Sequence, residues 1–502
     1  MSTIRLKNAA SLILPYDDNF EVSDQIKRFL TYTDRGVQYQ LKKMSQNYRW
    51  QHSDPDGFMA RKAELKEDSV KSLVYRDPIS LEPLTYSGLW KDLETRFGLK
   101  LERTYADLSK MPTIPWNVKP FDMRYYQKEA VEALLTAQHG AISLPTGSGK
   151  SLVIINLCKE CPVQTTIVTP SKQITNQLYD DFVAAFGLKR VGKYGSGKNE
   201  IGKLFTVCTG QALVRLEKGT PEYDFFFKSK MLIWDESHTT PAETFEQVCM
   251  GPLIDTPLRF FVSATQLRTD GSQMKLKGIT GPVVYTKEFT ELVEEGFLAR
   301  PSFKIINVSV NGYSGYGDIN KEESQHLFLN PNVNKVAADL AFKMISLQDK
   351  PTVILIDNFQ QFMHLRNYIT IPFEFVHGGS SNRVNKDKVA LRDFLPEEYW
   401  KPDVEGAIER FNNGQTKLLI GTSAISTGVD LKPTGCLIYL QGGMSEVKVR
   451  QAIGRGTRVT DTKNAVTIFD FNIRGSNSLE RHLAARQEIY ETMGQVTHYD
   501  LS

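Results

Sequence analysis

Short apolar runs rich in β-branched and aromatic residues recur along most of this chain, and they limit its fold more than any other feature. Ala141–Leu144, Thr166–Thr169, Phe205–Thr209, Met231–Trp234 and Phe260–Ser263 form one series. Val353–Ile356, Phe373–Val376, Leu418–Gly421, Leu437–Leu440 and Val466–Phe469 form a second. Each run is too short for a helix, and helical stretches separate them, the pattern of strands buried on both faces of a parallel sheet. The expected fold class is α/β, with two parallel-sheet domains in tandem.

Residues 1–112 read differently, as a small α+β N-terminal domain with a possible role in DNA binding. A helix is expected over 87–98, where Leu89, Leu93 and Phe97 recur at helical spacing and Gly98 ends the run. The segment 41–52 interleaves Lys42, Lys43 and Arg49 with Tyr48 and Trp50. It reads either as a grip on phosphates and bases or as a solvated strand edge with one half-buried Trp. The proline-broken stretch from Met111 marks the first boundary. The first α/β domain then spans 113–305, a Gly- and Asn-rich linker 306–332, and the second domain with its C-terminal helix 333–502.

Across 502 residues, Lys and Arg number 61 against 58 Asp and Glu. A near-neutral chain is no polycation, so any nucleic-acid site must gather its charge locally. No apolar stretch reaches 18 residues and the start lacks a secretory pattern, so a reduced, cytoplasmic protein is expected. Cys158 and Cys161 form a C-x-x-C without a second pair, which reads as two ordinary cysteines rather than a zinc site.

The strongest local signal is Ser143-Leu-Pro-Thr-Gly-Ser-Gly-Lys-Ser151, between an expected strand and an expected helix. That setting is the one a phosphate-binding loop requires. Thr146, Gly147, Ser148 and Gly149 would turn backbone N–H groups onto phosphate oxygens, Lys150 would reach the β- and γ-phosphates, and Ser151 would ligate Mg²⁺. One departure is Leu144, where the pattern has its first glycine. Asp235-Glu-Ser-His238 ends the strand Met231–Trp234; Asp235 is placed to hold Mg²⁺ and Glu236 to activate water. In the other half, Gln451, Arg455 and Arg458 fall on one helix face by spacing, suited to a developing phosphoryl charge.

Together with Ser263-Ala-Thr265, these motifs in this order resemble those of superfamily-two helicases, whose two domains are RecA-like. The resemblance covers about 120–475. It implies that Gln127 reads adenine, that Gly428 and Asp430 of Thr427-Gly-Val-Asp430 bind nucleotide, and that His238, Ser263 and Thr265 couple hydrolysis to nucleic acid. It also implies strand contacts from Pro170, Thr209 and Gln211 in the first domain and His377, Gly378 and Thr422 in the second. Catalysis would then require both domains, the carboxylates on one and the arginines on the other. The linker Phe289–Pro301 is similar to one in DNA translocases of the repair and branch-migration groups, and the modest size, small front domain and short tail look most like phage UvsW-type branch-migration helicases. The implied function is an ATP- and Mg²⁺-dependent helicase, expected as a monomer in the cytoplasm (the host's, if viral), remodelling forked or branched DNA in recombination, repair or replication. The alternatives are a duplex translocase that separates no strands, an RNA helicase, or a nucleic-acid scaffold without hydrolysis. About 25 residues between Gly378 and Glu405, rich in Arg and Lys, exceed the family pattern and suggest either a strand-separating insertion or a surface loop.

Overall fold

The computed structural model describes residues 3–45, 48–102, 108, 122–195, 197–240, 242–264, 273–310, 318–377, 399, 402–422, 431–459 and 463–500. The proposed motif residues Thr265, Gly378, Gly428 and Asp430 lie outside these, as does nearly all of the insertion after Gly378. Two compact units emerge, one of 1–144 and 149–286, the other of 287–502 with the four loop residues 145–148.

The first unit holds an eight-stranded sheet. Its order is Lys198–Asn199, Val191–Gly195, Phe205–Thr209, Thr165–Thr169, Met231–Asp235, Leu258–Ser263, His139–Ser143 and Val283–Thr286. All neighbours run parallel except the short Lys198–Asn199 edge. The strands are buried because helices cover both faces of such a sheet. Trp234, Phe245 and Phe261 meet edge-to-face in its core, with centroids 4.6 and 5.6 Å apart.

The second unit holds a seven-stranded, fully parallel sheet. Its order is Glu374–Val376, Leu418–Gly421, Thr352–Leu355, Cys436–Tyr439, Ala465–Arg474, Arg300–Ser309 and Gln495–Asp500. Both sheets are RecA-like parallel sheets in a mixed α/β chain. The strand Arg300–Ser309 pairs along its whole length with Ala465–Arg474. Residues 300–305 therefore sit in the second sheet rather than closing the first domain, and 306–309 are strand rather than linker.

Before both lies a five-stranded sheet of Tyr75–Arg76, Pro83–Tyr86, Ser11–Ile13, Thr3–Asn8 and Lys100–Glu102. The helix Trp90–Phe97 lies between its strands Pro83–Tyr86 and Lys100–Glu102 in the chain, with Leu93 buried and Gly98 left-handed at φ 67°. Residues 41–45 and 48–52 are helical, not a strand edge: Arg35–Ser45 and Tyr48–Ser53 pack on Pro55–Asp68, and Trp50 meets Phe58 edge-on at 5.7 Å. This small sheet shares one continuous core with the first parallel sheet, Leu89 and Leu93 clustering with Leu276 and Ile279. The contact is close enough to require glycine. A Cβ on Gly88 would lie 2.6 Å from the carbonyls of Lys277 and Gly278 and from the Gly281 nitrogen. Around it Tyr86 bonds Glu246, and Lys277 pairs with Asp92 at 2.6 Å. Gly88→Ala is expected to cost about 1–3 kcal/mol by overpacking, read as a lowered thermal midpoint; an unchanged midpoint would mean the two sheets part freely.

Candidate nucleotide site and nucleic-acid interface

The phosphate-loop candidate lies where the strand His139–Ser143 passes into the helix Lys150–Glu160. Gly147 and Gly149 both take left-handed backbone, φ 88° and 84°, which side chains rarely adopt. Gly149 is the N-cap, so the next N–H groups open at the positive end of the helix. A Cβ on Gly149 would come within 2.4 Å of the Gln127 side-chain nitrogen. Gln127 is itself buried, and its carbonyl oxygen accepts the Arg124 backbone N–H at 3.0 Å, capping its own helix. Leu144, in place of the usual glycine, is fully buried, and its N–H bonds the Ser263 carbonyl at 2.9 Å. That position is filled by an apolar side chain, and the turn begins only beyond it.

Asp235 ends the strand Met231–Asp235, beside Val262 of the next strand. Glu236 then takes φ 50° and ψ 45°, a left-handed conformation uncommon for a non-glycine residue. This turn brings the Glu236 carboxylate to 2.8 Å from Lys150 Nζ, with side-chain exposures of 13% and 11%. Two residues far apart in sequence thus form a nearly dry ion pair at the carboxyl ends of parallel strands, where ligands of such sheets bind. Ser151 is exposed on the same helix start, and Ser263 is buried at the end of its strand. The loop fits a nucleotide's phosphates: two glycines that a side chain would obstruct or strain, a helix N-terminus, an ammonium and adjacent carboxylates. The His238 side chain is outside the description.

Gln451 and Arg455 lie on the helix Glu446–Gly456, but Arg458 does not. Gly454 and Gly456 weaken the helix, and the buried Thr457 gives its carbonyl to the Ala299 N–H at 2.7 Å. Arg458 consequently sits in a β-bridge with Leu298, not on a shared helix face. The loop leading into this helix is braced by residues that sequence reasoning gave no role. The Gly443 N–H donates to Glu323 at 2.7 Å, and Arg486 donates to the Gly443 carbonyl at 2.7 Å. Arg486 also grips Asp470 at 2.8 and 3.0 Å, and Tyr490 donates to the same carboxylate.

Of the expected strand contacts, Pro170, Thr209 and Thr422 are partly exposed and Gln211 is exposed. Thr209 caps the helix Gly210–Val214, accepting the Ala212 N–H at 3.3 Å. His377 differs: its ring is buried beside Phe359 and Phe375, and Nε2 lies 2.9 Å from the Tyr399 carbonyl. It supports the aromatic core of the second unit rather than a surface. Beside Thr209 and Gln211 opens a cleft of about 580 Å³ whose walls add Lys172, Tyr194, Lys198, Asn199 and Arg215. Those three cations come from separate segments, and no local sequence signal joins them.

Cys158 and Cys161 are buried at the end of the nucleotide-loop helix, and burial pushes the Cys161 thiol up to about 11. Reactive cysteines need the opposite shift. No helix among the described residues is long and apolar enough to cross a membrane.

Comparison with known proteins agrees with this geometry. The family model for the type III restriction enzyme res subunit matches residues 120–268, and that for the helicase conserved C-terminal domain matches 339–460. The DNA 3'-5' translocase XPB2 of Sulfurisphaera tokodaii is 23% identical over 441 residues, covering 81% of this chain and 90% of that protein. The ATP-dependent DNA helicase uvsW of phage T4 is 24% identical over 410 residues, covering 76% and 74%. These matches support a superfamily-two DNA helicase related to UvsW. The helicase shares its fold with yeast Dbp5, at 15% identity and a TM-score of 0.51 over 75% of this chain and 89% of that one. Its family implies nucleotide use.

Proposed function

We propose that this helicase couples MgATP hydrolysis to the remodelling of branched DNA. The observation that carries the reading is the 2.8 Å contact between Lys150 and Glu236, which joins the phosphate loop to the acidic strand end. In this reading Thr146–Gly149 and Lys150 hold the phosphates, Ser151 and Asp235 hold Mg²⁺, and Gln127, Gly428 and Asp430 complete the nucleotide contacts. When bound, MgATP supplies a phosphoryl group whose transfer to water drives motion. Glu236 takes up a proton from the attacking water at a carboxylate oxygen. Gln451, Arg455 and Arg458 meet the developing phosphate charge. Ser263, Thr265 and His238 pass the nucleotide state to the DNA contacts.

Pro170, Thr209, Gln211, Gly378 and Thr422 are proposed to touch backbone, joined by Lys172, Lys198 and Arg215 of the basic cleft. Contacts of this kind go to phosphate and sugar, so they track any sequence. Relatives named as a DNA helicase and a DNA translocase support DNA as the substrate. Arg458→Ala should lower ATP turnover by about 10³-fold or more, the range arginine fingers contribute, while nucleotide Kd moves less than about threefold. Equal losses in both would mean that Arg458 binds ground-state nucleotide instead.

The match to the res subunit of type III restriction enzymes favours a second reading, a motor that moves along duplex without separating strands. Forks, four-way junctions, plain duplexes and RNA hybrids, assayed for ATP-dependent unwinding alongside triplex displacement, separate the two. Unwinding of forks and junctions supports the first reading, and triplex displacement without strand separation the second.

A further inference from the structure

The helical insertion between the strands Thr31–Thr33 and Val70–Ser72 is built on a core of its own, with Met44, Phe58 and Leu65 buried against Val37, Leu41 and Trp50. Along Arg35–Ser45, Val37, Leu41 and Met44 make the inward stripe. Tyr39, Lys42 and Lys43 therefore fall on the outer side, one helical turn apart, and all three are exposed. Tyr39 is 68% exposed and Tyr48, at the start of the next helix, 70%. From Arg35 to Ser53 the chain carries Arg35, Lys42, Lys43 and Arg49 and no Asp or Glu, although the two signs nearly cancel over the whole protein.

Exposed rings in a stretch that carries basic residues and no acids do not match a protein-binding patch, whose centre is depleted of charge. They match a polyanion that offers π faces, since bases stack on aromatic side chains while cations meet phosphate. Bases inside a duplex have no free face, which leaves unpaired bases as the occupant. Leu30 and Leu73, which flank the two-stranded sheet bearing the insertion, belong to the core that joins the front sheet to the first parallel sheet.

We propose that Tyr39 and Tyr48 stack on unpaired bases next to a duplex end while Lys42 and Lys43 neutralise the adjoining backbone. This assignment rests on the branched-DNA reading and names the part of the fork that is recognised.

The test uses the full chain, a forked DNA with 2-aminopurine at the first unpaired position, and a blunt duplex of equal length. Tyr39→Ala with Tyr48→Ala should weaken fork binding about tenfold, equivalent to about 1.4 kcal/mol, abolish quenching of the probe, and change duplex binding less than twofold. Tyr39→Phe with Tyr48→Phe should restore both signals, because the ring and not the hydroxyl does the stacking. Lys42→Ala with Lys43→Ala should reduce the slope of log affinity against log salt by about 1.4–1.8, from roughly 0.7–0.9 per phosphate contact. DNA-free ATPase should stay at the wild-type rate in all three variants, showing that they fold. Wild-type fork affinity and quenching in the alanine pair would overturn the proposal. A wild-type protein that unwinds no branched DNA would instead overturn the reading on which it rests.

Discussion

Lys150→Ala is expected to abolish ATP hydrolysis, with turnover at saturating DNA falling on the order of 10³-fold, the scale of losing one preorganised charge from a water-poor site. The ammonium starts the loop helix and lies 2.8 Å from Glu236, with 11% of its side chain exposed. Its removal takes away the charge that would meet the phosphates and leaves the Glu236 carboxylate without that partner. Both consequences disfavour binding as well as chemistry, so nucleotide affinity should fall along with turnover. A coupled ATPase assay together with titration of a fluorescent nucleotide measures the two. Turnover within about threefold of wild type would show that the phosphate-loop assignment is wrong.

Glu236→Gln separates the two roles. Glutamine keeps the size of the side chain and an oxygen able to accept from Lys150, and it asks nothing new of the backbone at φ 50°. It cannot take a proton as a carboxylate does. Nucleotide affinity should stay near wild type while single-turnover hydrolysis falls about 10²–10⁴-fold, the usual contribution of a general base. Wild-type hydrolysis would remove Glu236 from that role. Weakened binding with unchanged hydrolysis would make it a structural partner of Lys150.

Much of the site was legible because its motifs are local. Ser143–Ser151 contains the glycines, the lysine and the hydroxyl of the loop in consecutive residues, and Asp235 and Glu236 are neighbours. The buried strands Phe205–Thr209 and Leu418–Gly421 end where their apolar runs end. Other features depended on partners remote in the chain. Gln451, Arg455 and Arg458 have helical spacing, yet the Thr457 carbonyl is claimed by Ala299 and draws Arg458 into a bridge with Leu298. His377 sits next to a glycine in a motif-like position, yet Phe359, Phe375 and Tyr399 enclose it.

Local pattern was therefore sufficient to establish two parallel-sheet units, the glycine turn that opens a helix after a strand, and the acidic strand end. Burial on both faces and the needs of a tight turn restrict residue types one position at a time, and such restrictions can be read in order along a chain. Packing alone decided that Arg300–Ser309 completes the second sheet, that Gly88 locks the front sheet onto the first, and that Lys172, Lys198 and Arg215 share one cleft. In each case the energy belongs to a pair or cluster of distant residues. A strand's partner, a glycine's nearest carbonyl and a cation's neighbour exist only once the chain has folded back on itself.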